Sequence, residues 1–247
     1  MNIFVCIDDT DNIESRGTGE LASLLAKALE KNGWGKCEPV TRHQMLVHPD
    51  IPYTSHNSSM CFAADIAAEH VSAFTEFAKD FLTRESAEGS DPGLCIVNLE
   101  ALAARDDLIA FGRKAKQKVL TKEEAYGLAQ RLGIHLTEHG GTGLGVIGAL
   151  AGTGLRMTGN DGRFKGKFYV DTDTGIVDVA ELKRQTGVAV VKSLTGQELQ
   201  DSEAVQLGDK VKAVLLDGKA TLLVSPNTLD AARASWQTCT KQQLRAY

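Results

Sequence analysis

Apolar and polar positions fall in blocks along this chain. Ile3, Phe4, Val5 and Ile7 form a short apolar run that predicts a buried strand over residues 2–7. Leu21, Leu24, Leu25, Ala28 and Leu29 then recur at helical spacing, so 18–32 predicts an amphipathic helix stopped at Gly33. A strand is expected around "HQMLV" within 37–48, and another at 59–65, "SMCFAAD". Val71, Phe74, Phe77, Ala78 and Phe81 share one face of a helix expected over 68–84. The polar stretch 85–93 reads as an exposed loop, and "LCIVNL" (94–99) as a further buried strand. Residues 106–119 and 122–132 read as two helices, with Thr121 and Glu124 at the capping-box positions of the second.

Past the glycine-rich stretch 139–159, "HGGTGLGVIGALAGTGLRMTG", the pattern changes. "KFYVDTDTGIVDV", "VAVVKSL" and "KVKAVLLDGKATLLVS" read as short strands, the last folding back at Asp217-Gly218. The segment from Pro226 is expected to end in a short polar helix. Strands and helices alternate to about residue 160, and strands dominate from 167 to 224. The fold class expected is α+β, a mixed α/β arrangement followed by a β-rich C-terminal part.

Composition adds limits. A chain of 247 residues can bury one large core or two smaller ones. Its net charge of −5 does not favour a dedicated nucleic-acid binder, and "RDDLIAFGRKAKQK" (105–118) is its most basic stretch. The five cysteines include no C-x-x-C pair, so they read as reduced core residues rather than zinc ligands. There is no signal-peptide pattern and no apolar run of about 18 residues, which implies a cytoplasmic chain with no membrane partner. The oligomeric state stays open.

Three stretches carry candidate chemistry. Asp8, Asp9 and Asp11 crowd the end of the first strand, where open α/β sheets place ligands. Three carboxylates so close repel one another unless a cation compensates. Mg²⁺ takes one or two carboxylates together with substrate phosphates, so this loop suits a metal–phosphate site. A capped turn is the plain alternative. A haloacid-dehalogenase-type phosphatase is another, with Asp9-Thr10-Asp11 as its D-x-D, but the late acidic residues Asp209 and Asp217 stand too far apart to complete it. The second stretch, Gly143-x-Gly145-x-x-Gly148, matches a dinucleotide fingerprint formally, yet the polar "IHLTEHGG" before it does not read as a strand. Two readings stay open there. Either the glycines allow tight helix packing, or backbone N–H groups over Gly140–Gly145, with Thr142, cradle a phosphate. The third stretch, "RHQMLVHPDIPYTSHNSS", holds His43, His48 and His56 in a long aperiodic loop, with His56 and Asn57 as candidate contacts to a nucleotide or substrate.

"IDDTD", "HPDIPYTSHN" and "GTGLGVIGALAGTG", in this order, resemble the archaeal agmatidine synthetase family, which modifies the wobble cytidine of an isoleucine tRNA. "DPGLCIV" and "EEAYGLAQRLG" also look like segments of that family, and the resemblance covers roughly 1–160. It implies an ATP- and Mg²⁺-dependent kinase-like α/β core over 1–58 with 139–170, a ferredoxin-like segment over 59–138, and a β-rich extension over 171–247. It also implies that Asp8, Asp9 and Asp11 hold Mg²⁺ and triphosphate, with Thr18 at the position of an autophosphorylated threonine. Thr10, His56, Asn57, Gly141, Thr142, Gly143, Gly145 and Gly148 would surround the ATP. The chain departs from the family at Gly17, Gly19, "TSHNS" (54–58) and Leu144, and it has no counterpart of the family's OB and zinc-ribbon domains. The expectation is therefore phosphoryl transfer to a small-molecule or nucleotide acceptor. tRNA is not expected as substrate without a partner chain, and a non-catalytic nucleotide-binding module is the rival.

Overall fold

The computed structural model describes residues 1–51, 57–228 and 232–247. The chain is mixed α/β and divides into two compact units, Met1–Thr158 and Gly159–Tyr247. No helix among the described residues is long and apolar enough to cross a membrane.

The first unit runs β1 (Asn2–Asp8), α1 (Thr18–Lys31), β2 (Gly35–Cys37), β3 (Thr41–Gln44), β4 (Ser58–Ile66), α2 (Val71–Glu85) and β5 (Gly93–Asn98). It continues with α3 (Arg105–Ala115), α4 (Lys122–Leu132), β6 (His135–Glu138) and α5 (Gly145–Met157). Its strands lie in the order β6-β5-β1-β4-β3, with β2 also on β4, and every one of these pairings is antiparallel.

Alternation along β1 explains the unbroken apolar run. Ile3, Val5 and Ile7 pack with α1 and α2 on one face of the sheet. Phe4 and Cys6 pack with α3, α4 and α5 on the other. Because both faces are covered, both sets of positions are apolar. The same period of two puts Asp8 on the Cys6 face, beneath α5.

Helix α5 can lie this close because small residues face its neighbours. A Cβ on Gly112 of α3 would come within 2.8 Å of the Ala151 carbonyl oxygen, and one on Gly148 would sit inside the Asp8 carboxylate. The far end of α5 is anchored by Arg156. This buried guanidinium donates to Thr41 Oγ1 (2.6 Å) and Glu38 Oε2 (2.7 Å) and lies over the Phe4 ring. A buried cation needs such partners to offset its desolvation.

Several boundaries differ from the sequence expectation. Helix α3 ends at Ala115 rather than 119, because the Ala115 carbonyl accepts the Leu46 N–H (3.1 Å) instead of continuing the helix. Strand β3 stops at Gln44: the Met45 N–H still reaches the Asn57 carbonyl in register (2.9 Å), but the next N–H, that of Leu46, leaves the ladder for the Ala115 carbonyl (3.1 Å). The polar "HLTE" is a strand after all: β6 is the sheet edge and is paired with β5, where half-solvated residues are tolerated. Being antiparallel to β5, it does not create the strand–helix crossover that a dinucleotide fingerprint requires.

The cap of α4 forms as the sequence implied. Thr121 Oγ1 accepts the Glu124 N–H (3.2 Å), and the Glu124 carboxylate accepts the Thr121 N–H (3.0 Å). Thr121→Ala is expected to cost about 1 kcal/mol of stability, read as a lower urea midpoint at unchanged slope.

The second unit comprises β7 (Arg163–Phe164), β8 (Ile176–Asp178), α6 (Val179–Thr186), β9 (Val190–Ser193), β10 (Ala204–Gln206), β11 (Ala213–Leu216), β12 (Lys219–Pro226) and β13 (Trp236–Thr238). Strand β12 pairs with β11 and β13 antiparallel and with β9 parallel. The β11–β12 turn has Asp217 and Gly218 at φ of 49° and 71°, the double positive setting of a type I′ hairpin. Helix α6 was hidden among the strands, although Asp178 caps it by accepting the Glu181 N–H (2.7 Å) and Gly187 ends it. The expected short C-terminal helix is a 3₁₀ helix at Gln243–Ala246, and the strand β13 before it was not expected.

Candidate active site

The site is built where β1 ends. Asp8 is only 8% exposed, and burial, followed by the charges of Asp9 and Asp11, pushes its carboxyl well above the usual carboxylate range. Asp9 adopts a left-handed φ of 51°, unusual for a residue other than glycine. Burial raises its carboxyl to about 6, assisted by the charges of Asp91 and Asp11. Thr10 is fully buried, and its hydroxyl donates to Thr18 Oγ1 (3.1 Å). Thr18, the first residue of α1, donates in turn to Asp11 Oδ1 (2.8 Å). The loop is thus laced to the start of the helix that follows it.

One cleft collects these groups. Asp8, Asp9, Asp11, Thr18, Asn57, Gly145 and Gly148 all line it. Met45, Ile51, Val119, Leu120, Leu144 and Ile147 supply an apolar wall. Asn57 is set by its amide, which donates to the Leu46 carbonyl (2.6 Å).

The glycine stretch divides. Gly145 and Gly148 line the cleft, whereas Gly141, Thr142 and Gly143 are not among its lining residues. Thr142 gives both its N–H and its hydroxyl to the Asp91 carboxylate, and the Gly145 N–H goes to the Asp91 carbonyl (3.0 Å). Lys122 closes this clasp, donating to the Thr142 carbonyl (2.7 Å) and pairing with Glu138. His43 is buried against Thr41 Oγ1 (2.7 Å), and His56 lies outside the described residues.

Sequence reasoning overlooked Asp50, Asp91 and Lys118. Asp50 and Lys118 line the cleft, and Asp91 bears on Asp9 through its charge. Asp91 sits in "SDPG", whose composition is that of any surface turn, and only the fold brings it beside Asp9. Among the described residues, no three His, Cys, Asp or Glu side chains converge as a ready-made metal site.

No protein-family model matches the chain. Over 154 residues it is 30% identical to an uncharacterized protein of Methanocaldococcus jannaschii, a match covering 62% of this chain and 49% of that protein. Its fold is shared with a solved complex of TiaS with an isoleucine tRNA and ATP, at a TM-score of 0.55 and 29% identity over 62% of this chain and 36% of that one. A tRNA fluorescent labeling enzyme aligns with a TM-score of 0.54 and 30% identity, over 62% of this chain and 36% of its own. Apo TiaS, the isoleucine-tRNA agmatidine synthetase, gives 0.53 and 27%, over 62% of this chain and 35% of that one. The chain spans about half the length of the curated relative it matches and about a third of these solved chains. A tRNA complex among these neighbours goes against setting tRNA aside on charge. A net charge of −5 averages the whole surface, whereas Arg113, Lys114 and Lys118 gather along one groove beside α3. Over a span about as long as its first unit, the chain is TiaS-like, sharing that portion of its fold with the agmatidine synthetase of isoleucine tRNA.

Proposed function

We propose that this chain is an ATP- and Mg²⁺-dependent phosphoryl-transfer enzyme acting on a nucleotide acceptor. The observation that carries this reading is the mixed lining of the cleft. Asp8, Asp9, Asp11 and Thr18 line it together with the apolar side chains of Met45, Ile51, Val119, Leu120 and Ile147. A nucleotide combines the same needs: a flat base that prefers apolar surroundings, and phosphates that need charge compensation.

The carboxylates fit a hard cation. Asp8 and Asp9 hold raised pKa values because their negative charges are crowded and partly desolvated. A divalent ion relieves that crowding, and Mg²⁺ is satisfied by one or two carboxylates plus phosphate oxygens, so a preformed three-ligand cage is not needed. When bound, Mg²⁺ would neutralise charge developing on the transferred phosphoryl group. Asp8 and Asp9 are the residues to hold it. Asp11 and Thr10 fix the Thr18 hydroxyl where it lines the cleft. The apolar wall excludes water from the base.

A nucleotide within tRNA is the favoured acceptor. The α3 groove, lined by Asp106, Ile109, Ala110, Arg113, Lys114 and Gln117, shares Lys118 with the cleft, and its three cations suit an RNA backbone. The late acidic residues weighed for a phosphatase, Asp209 and Asp217, belong to the second unit, and Asp9 to the first.

Calorimetric titration with the imidotriphosphate analogue of ATP tests the reading. Binding is expected in Mg²⁺ and is expected to weaken by about tenfold or more in EDTA, because the carboxylates then repel the phosphates directly. Equal binding with and without metal would sink the metal-bridged reading.

A further inference from the structure

We propose that Lys118 binds the polyphosphate of the nucleotide in this cleft, as the cation in a lining otherwise rich in carboxylates; this rests on the ATP reading above. Four carboxylates, those of Asp8, Asp9, Asp11 and Asp50, line the cleft. Lys118 is the one Lys, Arg or His among the described lining residues. A magnesium nucleoside triphosphate keeps net negative charge even with its metal. The aspartates would hold that metal, and phosphate oxygens not bound to it would need a cationic donor of their own.

Two backbone amides of the glycine stretch are not open for that role as they stand. The Thr142 and Gly145 N–H groups are already given to Asp91. Neighbouring lysines are likewise engaged. Lys114 donates to Glu124 (2.5 Å), and Lys122 is held by Glu138 and the Thr142 carbonyl. Glu124 feels Lys118 only through its charge.

The backbone beneath Lys118 is well placed for the task. Its N–H donates to the Lys114 carbonyl (2.9 Å), closing the turn after α3. That turn is pinned to the segment after β3, next to the cleft residue Met45, by the Leu46 N–H on the Ala115 carbonyl (3.1 Å). A flexible ammonium on a fixed turn follows a phosphate chain as a point charge, without demanding bidentate geometry.

The test is calorimetric titration of the full chain, in Mg²⁺, with the imidotriphosphate analogue of ATP and separately with AMP. Lys118→Ala is expected to weaken the triphosphate by about ten- to a hundredfold and AMP by no more than about threefold. Lys118→Arg is expected to recover most of the loss, and Lys31→Ala, a surface control on α1, to match wild type. Because Lys118 is exposed, its variants are expected to melt with wild type. Unchanged triphosphate affinity in Lys118→Ala, or an equal loss for AMP, overturns the assignment while leaving the ATP reading intact. A wild-type chain that binds neither nucleotide overturns both.

Discussion

Gly148→Ala is expected to weaken nucleotide binding by about a hundredfold while leaving the chain folded. The added Cβ would sit inside the Asp8 carboxylate and 2.9 Å from Met45 Cε. Both obstacles are ends of side chains, so the backbone need not move. The overpacking costs about 1–3 kcal/mol. Replacing a helical glycine with alanine returns about 1 kcal/mol. The net loss of stability is therefore small, about 2 kcal/mol or less. Function fares differently, because the Asp8 carboxylate has to swing out of its place, and a displacement of about 1 Å at a charged ligand is worth about a hundredfold. Gly93→Ala makes the informative contrast. Its Cβ would strike the backbone of Gly145 and Val146, which cannot step aside, so that variant is expected to unfold. Melting curves and titrations with the ATP analogue on the two variants separate the outcomes. Normal binding by Gly148→Ala would remove Asp8 from the site.

The position of Gly148 over Asp8 shows where sequence reading works and where it stops. The apolar run ending at Asp8 marks a strand buried on both faces, and helices do cover both faces of β1. Period-two alternation even fixes that Asp8 shares a face with Cys6. Nothing local says that α5 crosses that face, because a helix–sheet contact is set by tertiary packing. The glycines of α5 announce a close approach without naming what is approached. The clasp around Asp91 is invisible for the same reason: Thr142 and Asp91 are 51 residues apart and meet only through the β5–β6 pairing. Strand β6 escaped notice because an edge strand keeps polar residues, and α6 because its 8 residues are too short for a clear helical period. The α4 cap was legible because all of its chemistry lies within four residues of sequence.

Asp9→Asn is expected to make the free protein more stable and the nucleotide-bound protein less so. The Asp9 carboxyl rises from 3.8 to about 6 on folding, so the folded state holds its proton more tightly than the unfolded chain. The stability this group confers is full below pH 3.8 and is lost as pH rises through about 6. At pH 8 the ionised carboxylate is therefore a liability, worth about 1–2 kcal/mol once its partial exposure is discounted. Asparagine resembles the protonated acid and tolerates the left-handed backbone at least as well. The variant should gain that 1–2 kcal/mol at about pH 8 and lose the charge-dependent part of its advantage near pH 4. Asp8 is raised in the same direction, by burial first and by the Asp9 charge second, so removing that charge relieves Asp8 as well and adds to the variant's gain at the higher pH. Mg²⁺ with the ATP analogue should then reverse the order at pH 8, because ligand that binds only the wild-type folded state stabilises it by about 2.7 kcal/mol at a hundred times its Kd. Thermal melts of both proteins at the two pH values, with and without ligand, check each step. An apo variant less stable than wild type at pH 8 would mean that Asp9 already has a compensating partner in the fold, and the case for a cation there would fail.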